Sequence, residues 1–159
     1  MREDHEELVL RNPAFVSCAL WYFARTFSDS REGRSPTLAH MVLATAMLLH
    51  ERTVEKIARM QFESGLLKAV VEEPELFAGL QRRVEAALPV CLTALQVGVS
   101  TQLLMRDGDS GLPAFRAGGA ALPIPIRQNN STNSAARRLG AWIAADDLPI
   151  LQARLGVKL

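Results

Sequence analysis

Two pairs of adjacent arginines, Arg82-Arg83 and Arg137-Arg138, are the side chains of this sequence best suited to hold a charged group. A guanidinium presents a planar fork of N–H donors that matches phosphate and carboxylate oxygens, so each pair could meet a phosphate or an acidic patch on a partner. Consecutive positions on a helix diverge by about 100°. A pair can therefore split, with one arginine along the helix side and the other in solvent. Neither pair is interleaved with aromatic residues, so base stacking has little support. The adjacent carboxylates Asp146-Asp147 diverge in the same way and do not converge on one proton or metal; helix capping accounts for them better. Asp107-Gly108-Asp109 opens like a calcium loop, but the twelve-residue ligand pattern and its closing glutamate are missing, and turn chemistry explains it.

The three histidines, His5, His40 and His50, fall at no interval that builds a zinc site. Cys18 and Cys91 sit among apolar residues outside any CxxC pair and read as small buried hydrophobes in a reducing compartment. The chain contains no GxxxxGK[ST], no GxGxxG and no GxSxG. The residues alone therefore point to no catalytic set, no cofactor site and no metal site.

The elements that would carry these side chains are mostly helices. Asn12-Pro13 is a helix start, with Asn as N-cap and Pro at the first helical position. The helix is expected to run to about Ser28, with Phe15, Ala19, Tyr22 and Phe23 on one face, widened by Leu20 and Trp21. A second helix, from Ser35-Pro36 to about His50, is apolar almost all round and so reads as the central one. Thr53 is placed to cap a short helix and Ser64 another. Pro74 is placed to open a longer one, whose stripe is Leu76, Leu80, Val84, Ala87, Leu88, Cys91 and Leu95. Pro89 should kink or split that helix, and Gly98 should end it.

The period then changes. Residues 102–116 read as a β-hairpin around DGDSG, with Gln102 to Arg106 and Leu112 to Phe115 as strands and Pro113 marking an edge. Residues 117–132 read as an extended linker containing Leu122-Pro123-Ile124-Pro125-Ile126. Residues 133–159 read as C-terminal helices, the first capped by Ser131 to Ser134 and the last by Asp146 or Asp147, with Gly156 as its stop. The expected fold is mainly α: one helical domain over 1–159, a helical core over 12–104 and a small hairpin in the C-terminal half, winged-helix-like.

Composition narrows the class without naming a function. Of the 159 residues, 48% are hydrophobic and 22% charged, as in an ordinary globular chain. The net charge is +1, which leaves no global footprint for DNA or RNA. MREDHEEL lacks the basic start of a signal peptide, and the most apolar run, Leu38 to Leu49, is too short to span a bilayer. A cytoplasmic protein without membrane contact is expected.

Three stretches together resemble a bacterial family. They are NPAF with its aromatic helix (Asn12 to Phe15 onward), LAHMVLATAMLLHERTVEKI in the middle, and RRLGAWIAADDLPILQARLGVKL at the close. The family is the middle component of three-component ABC-ATPase systems, overlapping the accessory subunits of Lamassu-type anti-phage defence. The residues that match its pattern are Asn12 to Phe15, then Leu49, His50 and Thr53, then Gly140, Trp142, Leu155, Gly156 and Val157. The chain departs from the pattern at Ala44-Thr45-Ala46 and Ile57-Ala58, where members often carry prolines.

The resemblance implies a non-catalytic subunit that bridges an SMC-like or Rad50-like ABC ATPase and an effector, often a nuclease. DNA would be met through the complex. Contact residues for such partners would be Phe15, Trp21, Leu122, Ile124, Ile126 and Trp142 as apolar anchors, with Arg82, Arg83, Arg137 and Arg138 for phosphates or acidic partners. The alternative is an independent winged-helix DNA-binding regulator. It is disfavoured because VCLTALQVGVST, leading into the hairpin, has no basic residue to read a major groove.

Overall fold

A computed structural model describes residues 11–108, 111–119 and 130–159. The first helix, α1 (Pro13–Ser30), starts where Asn12 accepts the Ala14 N–H at 3.0 Å and Pro13 gives up a donor that a first turn cannot use. Its buried face is Val16, Ala19, Leu20, Phe23, Ala24 and Phe27, steps of three and four. Phe15 and Tyr22, expected on that face, are half-buried at its margin.

Every residue of α2 (Leu38–Leu48) from His40 onward is buried, so this is the central helix. It begins at Thr37 rather than Ser35-Pro36. His40 Nδ1 accepts the Thr37 N–H at 3.0 Å and lies 2.9 Å from its hydroxyl, so an imidazole closes a capping box where a glutamate is usual. The residues around this start are tied to the hairpin, and Leu38, first in the helix, gives it the N–H that a first turn cannot use. Phe115 N–H donates to Pro36 O, and Leu38 N–H to Pro113 O.

The helix α3 (Glu51–Arg59) follows a two-residue break at Leu49 and His50. Thr53, expected as its cap, lies inside it and is fully buried. The short α4 (Leu66–Glu72) opens at Gly65, whose φ of 87° suits glycine, so Ser64 is not its cap. Pro74 opens only a 3-10 turn (Pro74–Phe77), and the long α5 (Leu80–Ser100) starts at Gly79 in the left-handed region. It runs unbroken through Pro89, on its solvent side, so the expected split does not occur. Gly98 does not end α5 either. It is buried inside it, where a Cβ would stand 2.6 Å from Ser17 Oγ and 2.7 Å from Leu104 Cδ1.

Strands β1 (Leu104–Asp107) and β2 (Ala114–Ala117) pair antiparallel, Leu104 opposite Ala117 and Asp107 opposite Ala114. Both begin later than expected, and Pro113 precedes β2. The outer edge of β2 is not free, since the segment 36–38 bonds to it and a bridge joins Thr37 to Ala114. The next described element, α6 (Ser131–Ala144), is capped by Asn130, which accepts the Asn133 N–H at 2.8 Å. The last, α7 (Leu148–Leu155), follows Asp147 and stops at Gly156, φ 67°. Leu122, Ile124, Ile126 and most of the expected linker lie outside the described residues.

These elements share one buried apolar cluster. The most extensive contact is α1 on α6, and Gly140 makes it close: a Cβ there would lie 2.5 Å from Phe23 O and 3.0 Å from Phe27 N. The helix α2 packs on α5, and α3 packs on the other side of α6. Arg31 holds the α6–α7 turn through the carbonyls of Ala144 and Asp146 and an ion pair with Asp147.

Candidate contact surfaces

Each arginine pair splits. Arg82 and Arg137 are exposed; Arg83 and Arg138 are half-buried and used within the chain. Arg138 Nε donates to Met60 O at 2.8 Å and Nη1 to Ser134 Oγ at 2.9 Å, so it fastens the turn after α3 to α6. Arg83 Nη2 donates to Leu76 O, at the 3-10 turn, and Nη1 reaches Thr53 Oγ1 at 3.5 Å. The two pairs therefore do not form one basic track. Arg82 and Arg137 remain outward as single charges.

Of the expected apolar anchors, Trp21 and Trp142 are core residues whose polar edges are satisfied internally. Trp21 Nε1 donates to Gly118 O at 3.0 Å and Trp142 Nε1 to Phe62 O at 2.7 Å. Phe15 is half-buried. The exposed apolar surface lies elsewhere. On the outer side of α5, Leu88 (41% exposed), Leu92 (47%) and Val99 (39%) recur at helical spacing, and Met105 on β1 continues beyond them. No charged residue interrupts the chain from Ala87 to Met105. Of that run, the sequence reading placed Ala87, Leu88, Cys91 and Leu95 in the core stripe, and Leu88 is exposed. The signal that separates exposed from buried is position at the margin: Leu88 and Leu92 flank the inner face that Ala87, Cys91 and Leu95 fill, Leu88 about 20° and Leu92 about 60° from Leu95 around the helix.

A second surface is polar. The outer side of α3 and the facing side of α4 form an open cleft of about 580 Å³ lined by Arg52, Glu55, Lys56, Arg59, Lys68 and Glu72 among others. Its charges largely cancel: Lys56 pairs with Glu72 at 2.5 Å and with Glu73 at 3.5 Å. Such exposed pairs orient side chains and add little stability. Among the described residues no group of His, Cys, Asp and Glu could hold a metal.

The titratable groups inside the fold serve packing. Burial, and then the Arg31 charge, push His40 down to about 4, so it stays neutral and accepts in its capping box. Burial pushes the Cys18 thiol up and the Cys91 thiol to about 11, which makes both poor nucleophiles. Asp107 is held below its usual range by the Ser35 hydroxyl and the Gly108 N–H. His50 differs, because it is half-exposed and its Nδ1 lies 2.6 Å from Thr53 Oγ1. Burial and the charges of Arg83 and Arg52 lower it too. Sequence reading placed Thr53 as a cap and so missed that His50, Thr53 and Arg83 meet.

Among the described residues, packing takes up the buried titratable groups of this mainly helical fold, and α5 carries an uncharged exposed stripe. The particular family is shown directly. The model for the ABC-three component (ABC-3C) system Middle Component 3 family matches residues 2–159, and the chain belongs to that family. No curated protein and no solved structure matches it. A middle component of a multi-component ABC system implies partner subunits. Among the described residues no helix is long and apolar enough to cross a membrane.

Proposed function

We propose that this protein is a non-catalytic adaptor that bridges an SMC-like or Rad50-like ABC ATPase and an effector, such as a nuclease, in a cytoplasmic anti-phage or anti-plasmid complex. The observation that carries the reading is the family match over nearly the whole chain. The chemistry of the fold supports it. The buried thiols are poor nucleophiles, and of the two hydroxyl–imidazole contacts among the described residues, Thr37–His40 closes a capping box and Thr53–His50 has its hydroxyl fully buried. The uncharged stripe on α5 is the kind of surface that subunits bury against one another. DNA is met through the complex, because the outward arginines are single charges and not a track.

Co-expression with the ATPase encoded beside it tests the reading. The two should co-elute on size exclusion, and the lone chain should bind a DNA duplex feebly. Tight, sequence-selective duplex binding by the lone chain would replace the adaptor with a DNA-binding regulator.

A further inference from the structure

We propose that the cleft between α3 and α4 receives a helix of a partner subunit that carries two carboxylates two turns apart with a cation between them, and that Arg52, Glu55 and Arg59 are the residues that read it. The inference rests on the adaptor reading for its partner; the charge pattern belongs to this chain alone.

One side of the cleft neutralises itself. Lys56 of α3 pairs with Glu72 and reaches Glu73 at 3.5 Å, and Lys68 lies 4.0 Å from Glu72, so two cations meet two carboxylates. The remaining charged residues that line the same open volume of about 580 Å³ are Arg52, Glu55 and Arg59, all on α3. All three are exposed, and none has an ion pair among the described residues.

These three stand on one ridge of α3. Positions three, four and seven apart fall within about 60° around a helix, and seven residues rise about 10.5 Å. The ridge therefore reads positive, negative, positive over two turns. A complementary surface reads negative, positive, negative with the same rise, which a second helix supplies from residues i, i+3 or i+4, and i+7. Flanking charges of this kind set the register and orientation of paired helices. The uncharged stripe on α5 offers contact area but no such register. The ridge is also open on its other side, because Glu55 and Arg59 line a second hollow of about 300 Å³ with Ser131 and Ser134 of α6.

A nucleic-acid strand fits the cleft less well. Its charge has one sign at every step, whereas Glu55 stands between the two arginines and Glu72 and Glu73 line the cleft as well. Among the described residues that line it none is aromatic, so bases would find nothing to stack on. A protein helix can alternate its charges to match.

The test uses the complex. The chain is co-expressed with the ATPase and the effector encoded beside it, and association is measured for the wild type, for Arg52→Glu with Arg59→Glu, and for Arg82→Glu with Arg137→Glu. The last pair makes the same change in net charge away from the cleft, and all four arginines are exposed. The cleft variant should weaken association about tenfold or more, because two attractive contacts become repulsive. The control should change it by less than about threefold. A circular-dichroism melt of each lone variant checks its fold. Where the cleft variant does not fold, Arg52→Gln with Arg59→Gln removes the charges without reversing them and should weaken association about threefold. Glu55→Lys separates a charge pattern from a plain basic patch: it should weaken association, whereas a nucleic acid or a uniformly acidic partner would bind it more tightly. Tighter association of Glu55→Lys therefore overturns the alternating helix. Wild-type association that the cleft variants leave intact, or that both double reversals weaken equally, overturns the site alone. A wild-type chain that co-elutes with neither neighbour overturns the adaptor reading and the site with it.

Discussion

The seam between α1 and α6 and the outer side of α5 are built from similar residues and put to opposite use. In the seam, Phe23, Phe27, Leu139 and Ile143 are fully buried, and Gly140 lets two backbones touch. On α5, Leu88, Leu92 and Val99 have the same helical spacing but face water. Local sequence does not separate a closed apolar stripe from an open one. What separates them is whether another element of the same chain arrives to cover it. The closed seam stabilises the fold, and the open stripe is available to something else.

The contrast sets an order of expected effects. Gly140→Ala should be the most damaging, because the added methyl meets Phe23 O and Phe27 N, backbone atoms that cannot swing aside. A loss of about 3 kcal/mol in a urea titration is expected, and a neutral result would show that the seam can open. Gly98→Ala, which meets the turnable Ser17 and Leu104 side chains, should lose clearly less.

Acid is expected to come next. His40 titrates at about 4 in the fold against an ordinary 6.5, so below pH 6.5 the unfolded chain takes up a proton that the native one refuses. Stability should therefore fall as pH drops from about 6.5 to 4, by up to about 3 kcal/mol, and level off below. His40→Gln should flatten that part of a melting-temperature profile; an unchanged slope would exonerate His40.

Trp142→Phe strips the donor from Phe62 O and should lose about 1–2 kcal/mol by the same titration. Smallest of all, Leu92→Gln on the open stripe should change stability by about 0.5 kcal/mol or less. A large loss there would mean that the stripe is already covered.

The sequence carried local signals well where the physics is local. Asn12-Pro13 starts α1, and Gly156 stops α7, because caps and left-handed stops need one or two residues. The all-round apolar run marked α2 as central. Signals with two meanings went astray. A threonine hydroxyl can cap a helix or bond a histidine within the fold, and Thr53 does the second. A glycine can end a helix or admit a neighbour, and Gly98 does the second. Pro89 should have broken α5, yet it stands on the solvent side of a long helix anchored by packing on its inner face. Which arginine of each pair turns inward depends on carbonyls at Met60 and Leu76, distant in sequence from Arg138 and close to Arg83 through a turn that no periodicity announces. The family stretches were legible because they are fold-bearing: Gly140 belongs to the α1–α6 seam, and Trp142 is a buried core residue bonded to Phe62 beyond α3.

The two buried indoles give the molecule a pair of built-in optical probes. Trp21 is bonded to Gly118 at the exit of the hairpin, and Trp142 to Phe62 beyond α3, so each emits from a different junction. With two tryptophans in the chain, a variant retaining one of them isolates one junction. Comparing the emission of the two single-tryptophan variants during denaturation would show whether the hairpin lets go with the helices or before them.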